Sequence, residues 1–276
     1  AAVLARLARR VHPAHGWDDL VLAPDVKAQL RELCVQIRYK RRVREQWGFG
    51  QKLARNAGTS ALFSGASGTG KTTSASIIAR ELHLDLYEID LSRVVSKYIG
   101  ETEQNLRRIF DAAVNSNAII QFNECDALWG KRSEVKDAHD RYANIEIAFL
   151  LQEMEQFDGV VVLTTNLRQN LDEAFTRRLD FLVDFPFPDE AARRRIWEVL
   201  LPADAPREHL DLDVLARLRL SGGNIKNVIY AGAFYAVEED RKIRTTDLVR
   251  AVRREHQKMG RMLNESELGP YGKAPN

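Results

Sequence analysis

The sequence has few of the features that would assign it to a specialised class. It has two cysteines in 276 residues, Cys34 and Cys125, far apart and without a C-x-x-C pair, so neither a disulfide framework nor a zinc site is suggested. That usage fits a reducing cytoplasm. No apolar run approaches the length of a bilayer span, so no membrane partner is expected, and the opening AAVLARLARR is too charged for a signal-peptide core. An excess of one charge is missing too: 41 Lys and Arg stand against 39 Asp and Glu, a net +2, and no long-range field calls for nucleic acid. Internal repeats are absent. The histidines form no matched ligand set: His12 and His15 straddle Pro13, and Asp137, His139 and Asp140 lack ligand spacing. An initiator methionine is lacking as well, and the chain reads as a fragment of something longer.

Against that plain background one stretch stands out. Residues 61–73 read ALFSGASGTGKTT, in which Gly65, Gly70, Lys71 and Thr72 match G-x-x-x-x-G-K-[ST]. Glycines let the backbone turn with positive φ and approach an anion, so that the N–H groups of Ala66, Ser67, Gly68 and Thr69 can converge on phosphates. Lys71 would reach the β- and γ-phosphates of ATP, or the β-phosphate of ADP, and Thr72 would offer a hydroxyl to Mg²⁺. The helix starting near Thr73 would point its positive end at the charge. Leu62 and Phe63 supply the buried strand that this motif needs before it. A nucleophile-elbow reading around Ser67 fails, because Thr69 stands where the second glycine belongs.

The remainder supports a five-stranded parallel sheet with helices on both faces, a P-loop α/β architecture, followed by an all-helical lid. Residues 84–90, 118–122, 159–166 and 181–187 read as strands alternating with helical patterns. Beyond Pro188 only helical periodicity appears. The boundaries expected are a linker helix over 1–16, an α/β domain over 17–187, a lid over 188–263 and a disordered, Gly- and Pro-containing tail over 264–276. Residues 38–55 hold seven basic residues together with Tyr39 and Trp47, a run that reads as a solvated or intersubunit helix face ahead of a nucleic-acid surface. At the end of the third strand, Glu124 is placed to orient water. Asn123 stands where a metal-facing Asp is expected and could act only through a water molecule, since an amide carries no charge.

The segments GASGTGKTT, SKYIGETEQNLRRIF, NECDALWGKR, VVVLTTNL, DEAFTRRLD and LSGGNIKN occur in the order found in AAA ATPases, and the resemblance covers about residues 17–262. Within that family the chain resembles bacterial members, some of which accompany contractile injection systems. The resemblance implies ATP hydrolysis with Lys71 and Thr72 on phosphate and Mg²⁺, Glu124 as base, and Asn166 as the sensor of the attacking water. It makes Arg178, rather than Arg177, a finger that reaches a neighbouring subunit's nucleotide. Asp19 and Leu20 resemble the segment against adenine, and Gly222 and Gly223 one near the adenosine. Lys97, Tyr98, Ile99 and Gly100 resemble a pore loop that grips an extended polypeptide. A homo-oligomeric ring, expected as a hexamer, acting on protein in the cytoplasm follows from the same resemblance. Two alternatives stay open: a slow ATP-binding switch, motivated by Asn123, and a DNA-remodelling ATPase, motivated by the basic run.

Overall fold

The computed structural model describes residues 8–12, 14–53, 58–95, 100–114, 116–127, 139–166 and 173–272. Two compact units emerge. Residues 1–17, 23–66 and 71–185 form an α/β unit, and residues 18–22, 67–70 and 186–276 form a helical one.

Six strands build the sheet: β1 (Arg9–Val11), β2 (Thr59–Ser64), β3 (Asp85–Asp90), β4 (Ala118–Asn123), β5 (Val160–Thr165) and β6 (Phe181–Asp184). Their order is β1-β3-β4-β5-β2-β6, and every pairing is parallel except that of β1 with β3. Both β2 and β5 are buried along their whole length; β5 is a run of apolar and β-branched residues, while β2 carries Ala61, Leu62 and Phe63 between buried Thr59, Ser60 and Ser64. One face of the sheet carries Tyr87, Ile89, Ile120, Phe122 and Leu163. These pack with Leu106, Ile109 and Phe110 of α3 (Glu101–Ala113) and with Leu150 and Met154 of α4 (His139–Gln156). Helices α1 (Pro24–Arg41) and α2 (Lys71–Glu81) bury Leu30, Leu33, Ala75 and Ile78 completely.

The sheet has one strand more than the five expected, and residues 9–11 of the segment expected as a linker helix over 1–16 form it; residues 1–7 and 13 lie outside the described residues. Residues 9–11 pair antiparallel with the edge of β3, Arg9 opposite Glu88 and Val11 opposite Leu86. The exposed edge offers backbone partners that a lone helix would not gain, and Arg10 reaches Asp85 at 2.6 Å. β6 ends at Asp184 rather than continuing to 187, where Pro186 and Pro188 remove the donors a ladder needs. Helix α2 begins at Lys71, two residues before the expected start.

The helical unit contains α5 (Glu190–Leu200), α6 (Leu212–Arg217), α7 (Gly222–Glu238) and α8 (Thr245–Lys258). Its core is centred on Trp197, Leu215, Ile225, Leu248 and Val252. Asp189, Asp211 and Ser221 each accept a backbone N–H at the start of their helix, which fixes where the helices begin. The tail departs from the expected disorder over the residues described: Glu265–Tyr271 forms 3₁₀ turns, Leu268 is fully buried, and Arg253 holds Glu265 at 2.8 Å. A single leucine joining the core, with an ion pair beside it, outweighs the local Gly and Pro content. No described helix is long and apolar enough to cross a membrane.

Candidate functional site

β2 runs into the glycine-rich loop. Gly65 has φ 150°, and a Cβ there would lie 2.3 Å from the carbonyl oxygen of Phe185, so no larger residue can follow β2 while Phe185 donates its N–H to Ser64. Gly68 has φ 77°, and a Cβ on it would lie 2.5 Å from Ser221 Oγ. The Gly68 carbonyl accepts the N–H of Gly223 at 3.0 Å, which places Gly222 and Gly223, at the start of α7, against the crest of the loop. Ala66, Ser67 and Gly68 are exposed and Thr69 is buried, while Gly70 has φ 104° and leads directly into α2.

Lys71 folds back over this loop. Its ammonium donates to the carbonyls of Gly65 and Ala66, the latter at 2.9 Å, and to Asn166 Oδ1 at 3.1 Å. Burial lowers its pKa to about 8, while the charge of Asp126 works the other way. Asn166, at the end of β5, is held in turn by Asp126, whose carboxylate accepts its backbone N–H at 3.4 Å and the Thr165 hydroxyl. Thr73 lies in the first turn of α2, where its carbonyl accepts from Ser76 Oγ at 2.8 Å.

A second group of side chains lies where β3 and β4 end. Asn123 Oδ1 accepts from Gln121 Nε2 at 2.6 Å and from Thr164 Oγ1 at 3.0 Å, and its Nδ2 donates to Glu88 Oε1 at 3.2 Å. Gln121 Nε2 also reaches Thr72 Oγ1 at 2.8 Å. Asn123 and Thr72 are therefore joined through Gln121. Glu124 is exposed and has φ 56°, a left-handed conformation in which a non-glycine residue is strained, and strain of that kind concentrates at working sites. Glu88 and Gln121 were not singled out by the sequence. The signal that could have found them is one amide in the apolar run Ala118–Phe122 and one carboxylate in Leu86–Ile89, at paired positions of adjacent strands.

Other expected residues stand apart. Arg178 follows the turn Glu173–Thr176 and forms an ion pair with Glu155 at 3.5 Å on a half-exposed surface, with Arg177 beside it. Asp19 ends a short turn from Trp17, and buried Leu20 faces Gly70, 3.8 Å from where a Cβ would sit. Lys97, Tyr98 and Ile99 lie outside the described residues; Gly100 caps α3 with φ 80°. Within the basic run, Arg38 pairs with Glu81 at 3.1 Å, Arg41 with Glu45 at 2.9 Å, and Lys40 with Asp180 at 3.7 Å, so much of that charge is met within the chain.

These residues fit a magnesium-bound nucleotide. The lysine is desolvated over backbone carbonyls and would gain from an anion. Thr72 opens α2 at its positive end. Among the described residues the buried Oε1 of Gln121 has no hydrogen-bond partner, an acceptor still open on the amide that contacts the Thr72 hydroxyl. Among the described residues no group of three His, Cys, Asp or Glu is placed to hold a metal by itself.

Comparison with known proteins agrees with this geometry. Residues 61–187 match the "ATPase family associated with various cellular activities (AAA)". A protein of Sinorhizobium fredii named as an uncharacterized AAA family ATPase is 33% identical over 187 residues, 68% of this chain and 54% of that protein. A proteasome-activating nucleotidase of Saccharolobus solfataricus is 30% identical over 216 residues, 75% of this chain and 55% of its own length. The 26S proteasome subunit RPT4 of Saccharomyces cerevisiae is 31% identical over 203 residues, 70% of this chain and 46% of its own. The chain spans about half the length of these relatives. With a phosphate loop at 65–72, a carboxylate in strained backbone beyond β4, an asparagine closing β5 and this match around them, the chain belongs to the AAA family of ATPases.

Proposed function

We infer that this chain is the ATP-hydrolysing module of a ring-forming protein that remodels or threads protein substrates. The observation that carries the reading is the convergence on Lys71: its ammonium rests on loop carbonyls and on Asn166, whose backbone is held by Asp126, two residues past Glu124. An anion arriving at the loop would replace those carbonyl contacts with charge-assisted ones. Glu124 would orient the attacking water and Asn166 would hold it, while Thr72, with Asn123 acting through water, would face Mg²⁺. Magnesium, when bound, supplies the positive charge that offsets the phosphates. Arg178, half-exposed on this chain's surface, would serve a neighbouring subunit, which makes a closed ring, a hexamer in this reading, the working form.

Two relatives carry the proteasome in their names, and this supports protein as the substrate class. Tyr98 would grip that substrate in the pore. The resemblance to ATPases of contractile injection systems names one setting for it in a bacterial cytoplasm.

The decisive experiment is steady-state turnover with Mg-ATP in wild type and Glu124→Gln. Expected is loss of turnover by about a hundredfold or more with ATP affinity within about threefold, since the exposed carboxamide still fits the loop but no longer accepts a proton. Equal turnover in the two proteins overturns the assignment of the base. Tight binding with no turnover in the wild type turns the reading to an ATP-dependent switch.

A further inference from the structure

The position where a P-loop protein places a metal-facing carboxylate is Asn123 in this chain, and an amide brings a dipole without charge. A buried carboxylate lies nearby, on the neighbouring strand. In the parallel register Glu88 lies opposite Gln121, and Asp90 opposite Asn123. Side chains alternate along a strand, so these four share one face of the sheet, the face away from Tyr87, Ile89, Ile120 and Phe122 in the apolar core. Asp90 is committed elsewhere: it accepts the N–H and hydroxyl of Ser92 and pairs with Arg93 at 3.3 Å. Glu88 is different. It is 8% exposed, and its Oε1 is turned inward to Asn123 Nδ2 at 3.2 Å and Gln121 Nε2 at 3.5 Å. Its other oxygen accepts from Arg9.

A carboxylate buried in a sheet and met by one arginine that is itself 78% exposed is a costly element to keep for stability. Its inward neighbours are not a closed, satisfied network either. Gln121, fully buried, contacts Thr72, Asn123 and, at 3.5 Å, Glu88 through Nε2, while among the described residues its Oε1 has no partner. The group therefore presents negative charge and an open acceptor next to the hydroxyl that ends the phosphate loop. We propose that Glu88, on the strand beside Asn123, supplies the negative charge that position 123 lacks, and that Gln121 and Asn123 carry it to the magnesium side of the nucleotide site. Glu88 is a positioning residue in this scheme: it acts through the two amides and does not touch the nucleotide. The proposal rests on the ATPase reading above and deepens it. It also removes the reason to expect a degenerate site, because the charge has been moved rather than lost.

The test reads binding rather than turnover. ATP is titrated calorimetrically into the full chain, once with saturating magnesium and once with EDTA, and the ratio of the two affinities gives the magnesium enhancement. Glu88→Gln keeps shape and hydrogen-bonding capacity while removing the charge. It is expected to cut the enhancement about tenfold and to leave the EDTA affinity within about twofold. Adding Asn123→Asp to Glu88→Gln returns a carboxylate to the same group and is expected to restore the enhancement to within about threefold of wild type. A merely structural role would lower both affinities together and would show no rescue, and that result overturns the proposal. Arg9→Ala is a second probe that does not depend on how well the buried variant folds. Its side chain is largely solvated, and losing the competing cation is expected to raise the enhancement about threefold, so no rise counts against the proposal. A wild type that binds ATP with an enhancement unchanged in Glu88→Gln removes this proposal alone, whereas a wild type that binds no ATP removes the ATPase reading as well.

Discussion

The two faces of β4 differ in kind although they are equally buried. On one face Ile120 and Phe122 are fully buried in a largely apolar cluster of side chains from α3, α4 and the neighbouring strands. On the other, Gln121 is just as enclosed, yet its amide spans a hydroxyl, a carboxamide and a carboxylate. Exposure therefore does not separate the part of this strand that holds the fold from the part that serves the site. Hydrogen-bonding capacity does: along this strand the polar side chains, Gln121 and Asn123, lie on the one face and not on the other. The comparison yields opposite expectations for substitutions one residue apart.

The largest effect is expected on the apolar face. Phe122 packs against Phe110 with ring centroids 5.7 Å apart and lies in the middle of the cluster that joins sheet to helices. Phe122→Ala should destabilise the α/β unit by about 3–5 kcal/mol, from lost transfer energy and the cavity left behind. Urea unfolding measures it. ATP affinity of the chain that stays folded should change by less than about threefold, because no atom of Phe122 faces the loop-side network. A variant that kept its stability and lost affinity would show that the two faces are not separable.

On the site's side the expected change is in pH dependence. Lys71 is held near a pKa of about 8, against 10.5 for an ordinary lysine, by burial over the loop. Between those values the unfolded chain binds more protons at this residue than the folded one does. Its contribution to stability therefore rises with pH across that window, and the folded state is relieved of a charge it solvates poorly. Phosphate binding needs the opposite, the ammonium form. ATP affinity measured without metal should accordingly be steady up to about pH 7.5 and fall toward tenfold per pH unit above 8. Lys71→Arg, always charged, should bind more weakly at neutral pH but lose the slope. A wild-type affinity that stays flat to pH 9.5 would mean that the lysine keeps its proton and that its burial does not govern binding.

Much of this molecule could be read from sequence, for reasons that differ by element. The loop at Gly65–Thr72 was legible because its glycine spacing calls for backbone that turns with positive φ, and Gly68 and Gly70 have φ values of 77° and 104°. Strand β5 was legible because burial on both faces leaves an apolar, β-branched run, and β2 because Leu62 and Phe63 lead into the glycine-rich loop. β1 was not, since three residues joining a sheet edge leave no periodicity of their own and the register comes from β3. Leu268 was hidden for a similar reason: one leucine in a polar tail signals nothing until the core it enters exists. Within the site, Lys71 and Asn166 lie together, while Arg178 pairs with Glu155 and its assigned role stays a proposal. Glu88 and Gln121 went unread because pairing across strands, not proximity in sequence, brings them to Thr72.

The smallest expected effect is the sharpest test of the comparison. Gln121→Leu converts the polar face at that position to the chemistry of the other face. A buried glutamine kept for stability would cost about 1–3 kcal/mol when replaced, through the partners it abandons. Here those partners have others: Asn123 Oδ1 keeps Thr164 at 3.0 Å, Asn123 Nδ2 keeps Glu88 at 3.2 Å, and Glu88 keeps Arg9. The wild-type side chain also carries an acceptor that no described residue meets, and leucine removes it. The two changes nearly offset, so the stability of Gln121→Leu should lie within about 1 kcal/mol of wild type by urea unfolding. Thr72 loses its contact with the network at the same time. A variant that is as stable as wild type yet less responsive to magnesium would show that Gln121 is held there for the nucleotide, whereas a loss of several kcal/mol would return it to the fold.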